Sequence, residues 1–194
     1  MDIHDLKASI RSDIRAKRRL ISNDELKASD DALLEAFKSA SKADLKLNEA
    51  YSRSKSIAVY KAVGGELPCD ALAAYFRSEG KTTVYPRTKG DVMDFCAVKD
   101  PSSELVKGDF GIPAPSLDAL AADPSDIGIV ILPGIAFDEQ KRRLGQGKGF
   151  YDRWVSSFDE GHRPLLVGVC MKFQMVPEVP SEAFDIPADV LLCI

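Results

Sequence analysis

The segment IGIVILPGIAF, residues 127–137, decides the fold of this chain. Residues 127–132 are apolar without alternation, which is typical of a strand buried on both faces of a sheet. Pro133 and Gly134 end the run, so the chain leaves the strand through a loop. The segment is too short to cross a membrane, because a spanning helix needs roughly 20 apolar residues. We therefore predict a central strand over 127–132 with a loop at its carboxyl end.

Similar signals on both sides of this segment predict the rest of the sheet. Further strands are predicted at 56–60, 82–86, 93–98, 164–170 and 189–194. Apolar residues at helical spacing predict helices near 3–20, from the capping box Ser22–Glu25 onward, over 70–76 and over 150–158. Residues 99–126 contain four prolines and are predicted as a loop with a short helix near 117–122. Alternating strands and helices predict one α/β domain over residues 1–194, a three-layer α/β/α structure with a mostly parallel sheet.

Composition narrows the classes of function. The chain has 194 residues and a formal net charge of −4, so any bound anion requires a local group of cations. The four cysteines lie far apart without metal-ligand spacing, which indicates reduced thiols and a cytoplasmic protein. The two histidines, His4 and His162, are poorly placed for imidazole-based catalysis. We expect a monomer or weak dimer that binds neither nucleic acid nor membrane.

The glycine stretch RRLGQGKGFYDR, residues 142–153, carries the clearest chemical signal. Gly145, Gly147 and Gly149 alternate, so that backbone N–H groups can face one concavity at the start of a helix, where an anion is stabilised. Arg143 and Lys148 add positive charge, and Asp152 can hold Mg²⁺ against a phosphate. The spacing matches neither the Walker A motif nor GxGxxG. These residues favour a phosphate site over a flexible surface turn.

The first predicted helix has a basic stripe beside its apolar one. Residues 1–20 contain six Lys and Arg against three Asp. Lys7 and Arg11 lie one helical turn apart, so they share a face. A solvated surface is the simplest interpretation of such a stripe. We expect Arg15, Arg18 and Arg19 to face solvent.

The strings PGIAFD and RRLGQGKGFYDR together resemble the signature of the 5-formyltetrahydrofolate cyclo-ligase (methenyltetrahydrofolate synthetase) family. Weaker matches occur in the same order along the chain: Lys7 with Arg11, Gly65-Glu66, YPR followed by MDF, FGIPAP and FDIPADVLL. The resemblance implies a Rossmann-like domain. It also implies an enzyme that uses ATP and Mg²⁺ to convert 5-formyltetrahydrofolate to 5,10-methenyltetrahydrofolate, with release of ADP and phosphate.

The resemblance also implies roles for residues. ATP is expected to contact Lys7, Arg11 and the run Arg143, Leu144, Gly145, Gln146, Gly147, Lys148, Gly149, Phe150, Tyr151 and Asp152. Catalytic roles are expected for Tyr151, Lys148 and Arg143. The reduced folate is expected near Glu66, Phe110 and Tyr151. Mg²⁺ is expected on Asp152 and Asp189.

Three positions depart from the family pattern. Phe150 stands where Tyr is common, Ala114 where many bacterial members have Glu, and Cys69 where Thr is usual. Two other functions stay open at this point. One is a sugar-phosphate or acyl-CoA enzyme that uses the glycine stretch for its phosphate, and the other is a nucleotide- or RNA-binding module that uses the basic helix.

Overall fold

The computed structural model describes residues 2–159 and 161–194; the side chain of Phe110 lies outside the described part. The helices in chain order are α1 (Ile3–Arg18), α2 (Asn23–Ala43), α3 (Leu45–Arg53), α4 (Asp70–Ser78), α5 (Pro101–Glu104) and α6 (Phe150–Val155). The strands are β1 (Ser56–Ala58), β2 (Thr82–Lys89), β3 (Val92–Ala97), β4 (Leu105–Lys107), β5 (Pro113–Pro115), β6 (Ile127–Pro133), β7 (Ala136–Phe137), β8 (Arg143–Leu144), β9 (Leu165–Cys170) and β10 (Val190–Cys193).

Six strands form the central sheet, in the order β10-β9-β6-β1-β2-β3. All neighbours are parallel except β2 and β3, which pair antiparallel. From β1 the chain moves to β2 on one side, and it returns later to β6 on the other side. The carboxyl ends of β1 and β6 therefore flank a topological switch point, where α/β sheets bind ligands.

The core confirms the three-layer prediction. Ile129 and Ile131 of β6 pack on one face of the sheet with Phe37 of α2 and Phe76 of α4. Val130 and Leu132 face the opposite side, together with Trp154 of α6. Because β6 is covered on both faces, its residues are apolar throughout rather than alternating. The predicted strands are confirmed with small shifts of their ends.

The helical predictions hold for α1, α2, α4 and α6, although α6 ends at Val155 rather than 158. The predicted capping box is present: Glu25 N–H donates to Ser22 Oγ, and the Glu25 carboxylate accepts from Ser22 N–H. We did not predict α3 as a separate helix. It begins because Asp44 caps it, accepting a hydrogen bond from Leu47 N–H at 3.0 Å.

The segment 99–126 differs from the prediction. It contains α5 and the β4–β5 hairpin, and residues 117–122 form no helix. Arg87 gives the reason, because its Nη1 donates to the carbonyls of Ser116, Leu117 and Ala119 at 2.7, 3.1 and 2.6 Å. In a helix these carbonyls would all point along the axis toward amides four residues further on, whereas here they converge on one guanidinium nitrogen.

Candidate active site

Two loops meet at the switch point. One follows β1 and carries Glu66, and the other follows β6 and contains the β7–β8 hairpin and the glycine stretch. Asp138, which is fully buried, fixes the hairpin by accepting from Arg142 N–H, Arg142 Nε and Val179 N–H at 3.0, 2.7 and 2.8 Å. Asp138 is the last residue of the motif PGIAFD, and the sequence did not predict its role. It holds the base of the glycine stretch in place.

Each glycine of the alternating set has a guanidinium on its bare face. A Cβ on Gly145 would lie 2.7 Å from Arg143 Nη1, one on Gly147 3.5 Å from Arg11 Cζ, and one on Gly149 3.0 Å from Arg153 Nη1. Gly147 and Gly149 also have φ of +100° and +63°, which L side chains rarely adopt. Gly145 and Gly149 therefore allow a guanidinium to approach the backbone closely, while Gly147 adopts a left-handed conformation beside Arg11.

Arg143 is the most enclosed of these cations. Its Nη2 donates to Asp152 Oδ2 at 2.8 Å, and its guanidinium lies 5.7 Å from the centre of the Tyr151 ring. Its side chain is only 6% exposed, and within the described residues its buried Nε has no hydrogen-bond partner. An orphaned buried donor in such a place fits an anion site, because leaving it unpaired is costly.

Tyr151 lies at the start of α6, directly after the glycine stretch, and its ring contacts Phe95 and Arg143. Burial raises the pKa of its phenol well above the ordinary value; the positive charge of Arg143 acts in the opposite direction, and the negative charge of Glu66 raises the pKa further. The phenol is therefore protonated at neutral pH and can donate a hydrogen bond. It is not suited to act as a base.

Glu66 is held from several directions. Its Oε1 accepts from Gln146 Nε2 at 3.1 Å and lies 3.5 Å from Arg18 Nη1, and its Oε2 accepts from Val63 N–H at 3.3 Å. The carboxylate is 12% exposed. The structure thus brings Glu66, predicted for the folate, beside Gln146 and Tyr151 of the glycine stretch.

Helix α1 turns its basic stripe toward the site. Arg11 Nε donates to the carbonyl of Gly145 at 2.9 Å. Lys7 Nζ lies 2.7 Å from both Glu182 Oε2 and Asp185 Oδ2, two carboxylates that we did not predict. Burial opposes the charge on Lys7, but the bonds to Asp185 and Glu182 outweigh it and raise its pKa. Lys7 is therefore an ammonium ion in a carboxylate clamp.

The prediction that Arg15, Arg18 and Arg19 face solvent is wrong for Arg18. Arg15 and Arg19 are exposed, and Arg15 Nη2 donates to Gln146 Oε1 at 2.8 Å. Arg18 is 5% exposed and donates to the carbonyl of Gly134 at 2.7 Å. Lys7 and Arg18 thus lie within the protein, which leaves little of the stripe for the RNA contact considered above.

The two predicted metal ligands lie in different settings. Asp152 Oδ2 pairs with Arg143, and its Oδ1 accepts a long hydrogen bond of 3.3 Å from Ile186 N–H. Asp189 precedes β10, and both of its carboxylate oxygens accept from Arg163, at 2.6 and 2.7 Å. Among the described residues, no three His, Cys, Asp or Glu side chains cluster as metal ligands.

The remaining predicted site residues fall into three groups. Lys148 is exposed at the middle of the glycine stretch. Leu144 belongs to a small apolar core with Ile14, so only its backbone can contact a ligand, and Phe150 packs against the Arg153 guanidinium at 5.1 Å. Phe110 lies in a 3₁₀ turn, and its side chain is outside the described residues.

Two of the residues that differ from the family pattern, Cys69 and Ala114, have buried side chains. Cys69 is buried, and its Sγ donates to the carbonyl of Tyr60 at 3.2 Å. Ala114 packs against Gly108, where a Cβ would lie 2.8 Å from the Ala114 methyl. Both side chains are buried and contribute to packing.

Comparison with known proteins places this geometry in a family. The model of the 5-formyltetrahydrofolate cyclo-ligase family matches residues 3–193. A probable 5-formyltetrahydrofolate cyclo-ligase of Schizosaccharomyces pombe is 30% identical over 155 residues, which cover 73% of this chain and 76% of that protein. The Escherichia coli K12 5-formyltetrahydrofolate cyclo-ligase is 33% identical over 137 residues, covering 68% and 74%.

Solved structures agree. The NMR structure of Aquifex aeolicus 5,10-methenyltetrahydrofolate synthetase has a TM-score of 0.74 at 31% identity and covers 97% of this chain and 89% of that one. A 5,10-methenyltetrahydrofolate synthetase from Mycoplasma pneumoniae has a TM-score of 0.71 at 20% identity and covers 96% of this chain and 97% of that one; at this identity the likeness shows the fold alone.

No helix in the described ranges is long and apolar enough to cross a membrane. The chain belongs to the 5-formyltetrahydrofolate cyclo-ligase family, a family of ligases.

Proposed function

We propose that this protein converts 5-formyltetrahydrofolate to 5,10-methenyltetrahydrofolate, with ATP as co-substrate, Mg²⁺ as metal, and ADP and phosphate as products. The names of its relatives supply the folate substrate and the product. The observation that carries the proposal is the convergence of Arg11, Arg143 and Arg153 on the bare faces of three alternating glycines. This cationic surface lies at the switch point, opposite Glu66.

The reaction suits such a surface. The oxygen of an N-formyl group is a poor leaving group, so it must first be activated. In the proposed reaction it attacks the γ-phosphorus of ATP, and the bond from that phosphorus to the ADP oxygen breaks. N10 of the folate then bonds to the formyl carbon and loses its proton, while the carbon–oxygen bond breaks and phosphate leaves. Phosphoryl transfer of this kind needs alignment and charge neutralisation more than acid–base groups.

The cations have distinct parts in the proposal. Arg143 and Lys148 neutralise charge on the transferring phosphoryl group, and Arg11 approaches it from α1. Arg143 is already oriented by Asp152, so little ordering remains when the nucleotide binds. Lys7 contributes if the phosphates replace Glu182 and Asp185 as its partners.

The reduced folate is proposed to lie against Glu66, Phe110 and Tyr151. The carboxylate of Glu66 accepts N–H donors of the heterocycle, since charged acceptors form the stronger hydrogen bonds. The protonated phenol of Tyr151 can donate to the formyl or phosphoryl oxygen, in keeping with its raised pKa. This arrangement places the folate between the loop after β1 and the start of α6.

Asp152 fits Mg²⁺ by its donor chemistry. Mg²⁺ commonly takes one or two carboxylates together with substrate phosphates and waters, so a cluster of three acidic side chains is not required. Among the described residues, Asp152 Oδ1 has one long hydrogen bond to lose. Asp189 would have to be released by Arg163, and its Oδ2 by the N–H of Leu166, before it could take part. When bound, Mg²⁺ supplies positive charge to the phosphates.

The proposal is tested by following absorbance of 5,10-methenyltetrahydrofolate in a mixture of enzyme, 5-formyltetrahydrofolate, ATP and MgCl₂. Product is expected only with all components, together with one ADP for each product molecule. Omitting ATP, or adding EDTA, should abolish it. Product without ATP consumption, or none in the complete mixture, would overturn the proposal.

Matched variants assign the roles. Lys148→Ala is expected to raise the KM for ATP at least tenfold, whereas Lys46→Ala, an exposed lysine on α3, should leave it unchanged. Tyr151→Phe removes only the hydroxyl and is expected to lower kcat by about 10²-fold or more, the usual effect of removing one hydrogen-bond donor to a transition-state oxygen. An unchanged kcat in Tyr151→Phe would remove the phenol from the reaction.

A further inference from the structure

Arg18, in the last turn of α1, is a buried arginine that the helical pattern predicted to face solvent. It is 5% exposed, while its neighbours Lys17 and Arg19 are exposed. Burying a guanidinium costs several kcal/mol of solvation unless partners compensate, and an apolar side chain of similar size would fill the same space. The contacts of Arg18 therefore need an explanation beyond packing.

Those contacts join the two loops of the candidate site. Nη2 donates to the carbonyl of Gly134, directly after β6, at 2.7 Å. Nη1 lies 3.5 Å from Glu66 Oε1, in the loop after β1. Gln174 Nε2 donates to the same Gly134 carbonyl at 2.8 Å, so the guanidinium is set against a fixed point of the scaffold.

The backbone is shaped to admit this bridge. A Cβ on Gly65, next to Glu66, would lie 2.8 Å from the carbonyl oxygen of Arg18. The loop after β1 can therefore approach the end of α1 only with a glycine at this position. Gly65 also has φ of +75°, which few other residues adopt readily. Sequence and geometry together bring Glu66 to Arg18.

Electrostatics favour orientation of Glu66 by Arg18. Burial lowers the pKa of Arg18, and the charge of Glu66 acts in the opposite direction. The side chains are 4% and 12% exposed, so water screens their attraction little. The other side-chain contact of Glu66, Gln146 Nε2, comes from the exposed side and belongs to the glycine stretch. Arg18 is thus the charged partner that fixes Glu66 from the interior.

We propose that Arg18 is a positioning residue, which orients the carboxylate of Glu66 toward the N–H donors of the folate ring while it holds Gly134. The inference rests on the proposed function, because it concerns the substrate side of that site. The proposed role of Arg18 predicts that its loss affects the two substrates differently. Loss of Arg18 should weaken folate use and leave ATP use largely intact, since neither Glu66 nor Gly134 belongs to the predicted ATP contacts.

The test uses Arg18→Met, which keeps an unbranched apolar stem but removes the guanidinium, with Arg19→Met as the matched control on the exposed face. We expect the KM for 5-formyltetrahydrofolate to rise about tenfold in Arg18→Met, with the KM for ATP and kcat within about twofold of the unmodified protein. Arg19→Met should change none of these constants. Equal increases in both KM values, or no change in either, would overturn the inference.

A double-mutant cycle separates positioning from general loosening of the fold. If Arg18 acts through Glu66, Arg18→Met should change the folate KM less than twofold in a Glu66→Gln background. If Arg18→Met raised the folate KM tenfold both in the unmodified protein and in the Glu66→Gln variant, its role would be purely structural and the proposal would be refuted. If Arg18→Met does not fold, Arg18→Lys replaces it; one ammonium cannot reproduce both contacts, so the folate KM should rise severalfold. A folate KM unchanged in Arg18→Lys would equally refute it.

This result is distinguishable from failure of the proposed function. If the protein is not a folate cyclo-ligase, the unmodified chain itself forms no methenyltetrahydrofolate. If only the role of Arg18 is wrong, the unmodified chain forms product with normal stoichiometry and the cycle is additive.

Discussion

Replacing Gly145 by alanine is the sharpest test of how the glycine stretch works. Its φ lies outside the left-handed region, so alanine brings no backbone strain there. The added methyl would instead lie 2.7 Å from Arg143 Nη1. The guanidinium must move by roughly 1 Å to reach ordinary contact distance, which is about 3.5–4.0 Å between non-bonded carbon atoms. The variant therefore changes the position of a charge and little else.

The size of the effect follows from what that movement breaks. Arg143 Nη2 donates to Asp152 Oδ2 at 2.8 Å, and the pair is largely buried. A hydrogen bond to a charged group contributes about 1.5–3 kcal/mol. Since about 1.4 kcal/mol corresponds to a factor of ten in rate, kcat/KM for ATP should fall about 10- to 150-fold. Displacements of 1 Å in catalytic groups have effects of this order.

The assay is the formation of methenyltetrahydrofolate at varied ATP, with a thermal melt to establish that Gly145→Ala is folded. The control is the same substitution in an Arg143→Met background, where the atom that alanine would strike is absent. There, Gly145→Ala should reduce kcat/KM less than threefold further. If Gly145→Ala alone retains more than half of the kcat/KM of the unmodified protein, the glycine is not needed for Arg143 and the reasoning is wrong.

Three further predictions concern the scaffold. A Cβ on Gly128 would lie 2.1 Å from Ser54 Oγ, so Gly128→Ala should lower the free energy of unfolding in urea by about 1–3 kcal/mol, and less in a Ser54→Gly background. Arg87→Met removes the guanidinium that binds three loop carbonyls and leaves Asp94 paired with Lys89 at 4.0 Å; because Asp94 is also 30% exposed, we expect a loss of about 2–3 kcal/mol, with faster amide exchange in residues 116–122 as the readout. Burial raises the pKa of the Cys69 thiol from 9.0 to about 12, so the folded state keeps a proton that the unfolded chain releases. Stability should therefore fall by up to about 1.4 kcal/mol per pH unit between those values, and Cys69→Ala should flatten the fall; an identical slope would contradict it.

The fold could largely be predicted from local patterns. The apolar run 127–132 indicated a strand covered on both faces, and Ser22 with Glu25 indicated the start of α2, because each signal is complete within a few residues. The helix expected near 117–122 failed for the opposite reason. Arg87 lies about thirty residues away and takes the carbonyls that a helix would use. A local propensity cannot show that a distant guanidinium competes for the same acceptors.

The sequence indicated which residues form the candidate site, but it did not indicate the contacts that those residues make. Alternating glycines beside arginines indicated an anion site, and the structure adds that each bare face accommodates a guanidinium. The clamp on Lys7 involves carboxylates 175 and 178 residues away, and no spacing along the chain points to them. Asp138 shows the same limit, since its third donor, Val179 N–H, comes from a loop 41 residues further on.

The sequence of α1 predicts a basic stripe, but it does not determine whether each cation of the stripe is hydrated or paired with a carboxylate. Charges at four-residue steps establish that one helix face is polar, but a polar face can be solvated or paired. Desolvation opposes the burial of both Lys7 and Arg18. Glu182 and Asp185 outweigh it for Lys7, whereas Glu66 and the Gly134 carbonyl counter it in part for Arg18, whose pKa stays lowered. Arg19 has no such carboxylate within ion-pair distance among the described residues and is exposed. Lys7 and Arg18 are thus buried while Arg19, the C-cap of α1, is exposed, because acidic groups far along the chain pair with the first two.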